Sequence, residues 1–135
     1  MTIMNLERMK QVKDFSSMPI TPTDIDGYID YRGRYHILFE LKHRNAPVKQ
    51  GQRLAMDRLC NDLNKVRPTI YIIAEHNQDN PSDLINVGSC VVREFKYKGD
   101  WQVPKNRIFL SAMVKDFINV NEFERKDFQD EGEFV

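Results

Sequence analysis

Cysteine is scarce in this sequence. Cys60 and Cys90 are the two cysteines in 135 residues, and they have no partners at metal-ligand spacing. No disulfide framework is expected, and the pair reads as buried thiols in a reducing compartment. Long apolar runs are missing too. No stretch approaches the roughly 18 consecutive apolar residues of a membrane span, and the start, MTIMNLERMKQ, lacks the apolar run of a secretory signal. The expectation is a cytoplasmic protein with no membrane partner. Charge of one sign is not in excess: the formal net charge is +0. No overall field draws the chain to nucleic acid or membrane, so any nucleic-acid surface must be a local patch. There is no P-loop and no G-x-G-x-x-G, which removes support for nucleotide binding through those motifs. His36, His43 and His76 form no His-x-x-His or His–Cys cluster, so zinc is not expected.

What is present fits one domain over residues 1–135. NLERMKQVKDF carries Leu6, Met9, Val12 and Phe15 at helical spacing. Pro19 and Pro22 break that pattern. From Ile25 the period becomes two, Arg32-Gly33 forms a turn, and Tyr35 to Leu41 makes a second strand with Ile37, Phe39 and Leu41 on one face. Met56, Leu59, Cys60, Leu63 and Val66 form the stripe of a helix that Arg67-Pro68 ends. TIYIIAE reads as a buried strand. INVGSCVVREFKY reads as one more strand, KGDWQVPKN as a loop, and the chain from Ser111 as a helix running into an acidic tail from about residue 122. The order α-β-β-α-β-β-α predicts an α/β domain, a central mixed sheet of about four to five strands flanked by helices.

The strand YHILFEL is apolar, yet Glu40 sits inside it and Lys42 follows two residues later. Alternation puts both on one face. With the hairpin folded at Arg32-Gly33, Asp26 and Glu40 lie equally far from Gly33 and become near-opposite partners. Two carboxylates facing each other repel. A divalent cation between them removes the conflict, and Mg²⁺ favours one or two protein carboxylates while keeping waters for a substrate phosphate. Lys42, one step along, can hold a phosphate oxygen or a water. The arrangement suits metal-assisted hydrolysis of a phosphodiester. Asp24 shares the face of Asp26 and is the competing ligand, but its register meets Lys42 rather than Glu40.

PTDID through FELK, followed by GQ on the next helix, resembles the PD-(D/E)xK nuclease superfamily, most of all its small phage-type and Holliday-junction-resolvase-like members. The PD element is not literal, since Thr23 separates Pro22 from Asp24. The resemblance implies a restriction-endonuclease-like core and a metal-dependent nuclease acting on DNA, including branched or structured DNA, with RNA as the competing substrate. It implies that Asp26, Glu40 and the Leu41 backbone carbonyl bind Mg²⁺, with Mn²⁺ able to substitute. Lys42 would position or activate the water. Gln52 would be the auxiliary polar residue of the following helix, and Glu7 an extra ligand. It also implies a phage-encoded or bacterial setting.

Gln52 has support of its own, because it precedes Met56 by four and begins the inward stripe of its helix. Basic residues are concentrated between positions 32 and 67, and Arg44, Lys49 and Arg53 adjoin the metal site as candidates for phosphate contact. Tyr28 and Tyr35 flank the hairpin, for packing across the strands or for stacking on a base. A homodimer would place two cuts. The alternative to an enzyme is a catalytically silent nuclease-like fold that serves as a nucleic-acid-binding or accessory subunit.

Overall fold

The computed structural model describes residues 2–3, 22–80 and 82–133, with side chains for 22–80 and 82–125. The helix expected around Leu6–Phe15, and Glu7 with it, lies outside the described residues. In chain order the elements are β1 (Thr2–Ile3), β2 (Gly27–Tyr31), β3 (Tyr35–His43), α1 (Gln50–Asn64), β4 (Thr69–His76), β5 (Ile85–Asn86), β6 (Val91–Tyr97), β7 (Asp100–Gln102) and α2 (Leu110–Glu133). A mixed five-stranded sheet runs β2-β3-β4-β6-β7, and β1 pairs separately with β5.

The hairpin forms where the sequence places it. Arg32 and Gly33 both take positive φ, 52° and 67°, which suits a tight connection between twisted strands. Asp30 Oδ1 accepts from the Gly33 N–H at 2.9 Å, and Tyr31 pairs with Tyr35. β3 then runs parallel to β4, with Ile37 beside Ile70 and Glu40 beside Ile73. A parallel pair needs a crossover, and α1 supplies it.

Every residue from Tyr35 to Leu41 is buried. Such a strand must be covered on both faces. On one face Ile37, Phe39 and Leu41 join Ile70, Ile72 and Ala74 beneath Leu110, Met113 and Phe117 of α2. On the other, Leu38, Tyr71 and Ile73 pack against Met56 and Cys60 of α1. The result is an α/β architecture of helix, sheet and helix, and Glu40 lies on the α1 side, in line with Leu38. Cys60 and Cys90 are both buried and free.

Three boundaries differ from those read in the sequence. The segment around Gly88 is β5, then a 3-10 turn at Val87–Ser89, then β6, rather than one strand. Within KGDWQVPKN, read as a loop, Lys98 and Gly99 turn the chain with φ of 52° and 85°, and Asp100–Gln102 return as edge strand β7. Third, α2 continues to Glu133, through residues read as a polar tail. Among the described residues no helix is long and apolar enough to cross a membrane.

β2 lies tightly on its neighbour. A Cβ at Gly27 would fall 1.9 Å from the Phe39 ring. Gly27→Ala therefore has to push that ring aside. It is expected to lose about 1–3 kcal/mol in urea unfolding, and Phe39→Leu in the same chain should recover part of the loss. A Gly27→Ala variant as stable as the parent would show that the packing is loose.

Candidate active site

The β2–β3 ladder ends at Gly27 opposite Phe39. One step further, Asp26 faces Glu40. There the backbone pairing gives way to a side chain: the Leu41 N–H donates to Asp26 Oδ2 at 2.7 Å. This bond aims the Asp26 carboxylate at β3. Asp24 lies outside the ladder on an exposed approach. Its charge raises the Asp26 pKa slightly, and the Glu40 partner is Asp26.

Glu40 is 5% exposed. Lys42 Nζ is 3.4 Å from Glu40 Oε1, and it donates to Gln52 Oε1 at 3.2 Å. The Gln52 amide in turn steadies the ionised form of Glu40. Asp26, Glu40, Lys42 and Gln52 thus come from the end of β2, from β3 and from the first turn of α1, and they meet at one place. Burial first, and then the Asp26 charge, push Glu40 up to about 7. Burial also raises Asp26, although the Leu41 N–H favours its ionised form. Among the described residues no group of three or more His, Cys, Asp or Glu side chains could hold a metal. The described residues offer a pair of carboxylates and not a closed cage. Comparison of the chain with protein-family models, with curated proteins and with solved structures returns no match.

The proposed phosphate contacts are placed differently from one another. Lys49 is exposed, immediately before α1. Arg44 is exposed at the end of β3 and lies 3.7 Å from Asp79. Arg53 is engaged elsewhere: its guanidinium bonds Glu94 and stacks 4.0 Å from the centre of the Trp101 ring. A phosphate would have to compete with that carboxylate. Trp101 Nε1 donates to Asp57 at 3.1 Å, and Lys96 bonds the same carboxylate. This network pins α1 to β6 and β7, one residue beyond Gln52.

Several polar residues near the site were not singled out from the sequence. Glu75 lies beside Lys42 in the parallel register and accepts from Arg93 Nε at 2.7 Å. Arg93 is the extra residue of a bulge, since Ala74 pairs with Val92 and Ile73 with Glu94. The bulge lets consecutive residues Arg93 and Glu94 reach the α1 side together. The Tyr71 hydroxyl is buried and has no hydrogen-bond partner among the described residues. Beyond Lys42, His43 Nε2 lies 2.8 Å from Asp79 Oδ1, tying the segment after β3 to the one after β4.

The buried pair has a consequence for stability. Glu40 titrates near 4.5 when unfolded and at about 7 when folded. The folded state therefore binds the proton more tightly, and stability falls as pH rises from 4.5 to 7. In metal-free buffer this group should cost on the order of 2 kcal/mol between pH 5 and pH 8. Glu40→Gln should flatten that slope in urea titrations. An unchanged slope would mean that Glu40 is already ionised at pH 5.

Proposed function

We propose that this protein is a metal-dependent nuclease of the PD-(D/E)xK type, with a restriction-endonuclease-like core. It would hydrolyse phosphodiester bonds in DNA, with RNA as the competing substrate. The observation that carries this reading is the convergence of Asp26, Glu40, Lys42 and Gln52 on one face of the sheet. The position fits the chemistry, because it lies toward the C-terminal end of the parallel pair β3 and β4, where open α/β sheets bind ligands.

The donor set fits Mg²⁺. Two hard carboxylates face each other, Glu40 buried and Asp26 half-buried, and Glu40 has one ammonium at 3.4 Å to offset its charge. Raised pKa values for both acids mark an unmet demand for a cation. Asp26 and Glu40 would bind the ion, with the Leu41 carbonyl as the third protein ligand. Mg²⁺ there supplies charge against the phosphate and acidity to water. The rest falls to the chain's own groups. Lys42 sits 18% exposed on its side chain, so its ammonium stands at the edge of a low-dielectric interior, where it could hold a phosphate oxygen and orient a water. Gln52 fixes the Lys42 ammonium in place. Arg44 and Lys49 offer exposed cations for the flanking backbone.

The test is cleavage of labelled linear duplex, single strand, flap, four-way junction and RNA, with Mg²⁺, Mn²⁺ or EDTA. Metal-dependent cutting should fall by about 100-fold or more in Lys42→Ala and in Asp26→Asn. Mg²⁺ should raise the melting temperature of the parent at pH 8, and not that of Asp26→Asn. A parent protein that binds Mg²⁺ yet cuts none of these polymers would move the assignment to a catalytically silent nucleic-acid-binding or accessory subunit.

A further inference from the structure

Three large aromatic side chains stand exposed among the described residues: Tyr28 at 47%, Phe109 at 45% and Phe123 at 67%. Phe109 and Phe123 belong to the entry and body of α2, which covers the far side of the sheet. Tyr28 is different. It pairs with Leu38 in the β2–β3 ladder, and Leu38 packs toward α1. Tyr28 therefore projects on the same face as Glu40, two residues along from Asp26.

Its position is fixed from both ends. Tyr28 Oη and His36 Nδ1 are 2.6 Å apart, and the two rings lie 5.7 Å apart at 31°. His36 is 5% exposed, so the anchor is part of the interior. Burial also holds the His36 ring below its usual pKa, which leaves the anchor neutral at pH 7. On the other side Gly27 presses against the Phe39 ring, closer than any side chain would allow. The backbone between Asp26 and Tyr28 has little room to move. Two residues of extended chain separate their backbones by about 7 Å, and the bond to His36, the strand partner of Asp30, leans the ring away from Asp26, so the base it meets lies beside the held phosphate and not over it. Because β2 is the edge strand, nothing in the sheet covers the ring from outside.

The geometry points to Tyr28 as a stacking platform for an unpaired or chain-terminal nucleobase adjoining the phosphate held at Asp26 and Glu40. This rests on the nuclease reading of that site and narrows its substrate. Inside a continuous duplex both faces of each base are covered by neighbouring bases. A protein ring can stack only on a base that is single-stranded, at an end, or turned out of the helix. The substrate class is then a strand with an exposed base beside the cut, and uninterrupted duplex is disfavoured. Stacking on a ring tolerates any base.

The experiment measures binding apart from cleavage. A fluorescent short single strand and a long linear duplex are titrated in EDTA with the parent protein, Tyr28→Phe and Tyr28→Leu. A single strand carrying 2-aminopurine reports stacking by quenching. Tyr28→Leu should weaken single-strand binding about tenfold, leave duplex binding within about twofold, and relieve the quenching. Tyr28→Phe keeps the ring and loses the hydroxyl contact to His36, so it should bind and quench like the parent. The inference is overturned if Tyr28→Leu binds the single strand as the parent does, if both polymers lose affinity equally, or if Phe and Leu lose it equally. Each of those results leaves the nuclease reading standing. A parent that binds neither polymer overturns the stacking inference, and the cleavage panel with Mg²⁺ decides the nuclease reading separately.

Discussion

The hydrogen bond from the Leu41 N–H to the Asp26 carboxylate is the constraint on which the site depends. It forms where the β2–β3 ladder stops, so a side chain takes over the role of a backbone carbonyl. A charge-assisted bond of this kind contributes about 1.5–3 kcal/mol. That offsets part of the cost of holding Asp26 opposite a buried Glu40. A hydrogen bond between the two carboxyls, with the proton on Glu40, offsets part of the rest while Glu40 is protonated.

Both cores are arranged around this arrangement of charge. β3 is buried on two faces, and Glu40 within it is 5% exposed. Its neighbours on the same face of the strand are Leu38 on one side and Lys42 on the other. α1 closes the same face and carries Gln52 into contact with Lys42. The helix is held against β6 and β7 by Arg53 with Glu94 and Trp101, and by Asp57 with Lys96 and Trp101. Lys96 is 7% exposed, and a buried ammonium without Asp57 would be costly. The apolar packing of Met56 and Cys60 sets the height of α1, and these polar contacts set its rotation.

Much of the site was legible because it is local. The separation of Asp26 and Glu40 from Gly33 fixes their pairing once the turn is recognised, and the alternation of a strand does the rest. Gln52 followed from the stripe of α1. What the sequence hid depends on pairing between distant strands. Glu75 meets Lys42 through a parallel register that no short-range pattern encodes. Arg93 and Glu94 share a face because of a bulge, which breaks the alternation a reader relies on. Arg53 looked like a surface cation because its partners, Glu94 and Trp101, arrive from β6 and β7. Strand β7 was missed for being three residues long, although Lys98-Gly99 carried the signal of a turn. The length of α2 was hidden by its polar composition.

β3 and β4 are parallel, so the chain leaves both strands at the same end of the sheet, the end that carries Lys42 and Glu75. The two departing segments are tied by His43 and Asp79, and among the described residues their share of the two cores is Val48, packed at the margin of the α1 side. Lengthening or shortening them changes the surface around Lys42 and Glu75 at little cost to folding. The fold thereby separates two evolutionary problems. The loops can vary in length and sequence, while Asp26, Glu40 and Lys42 stay held by the sheet.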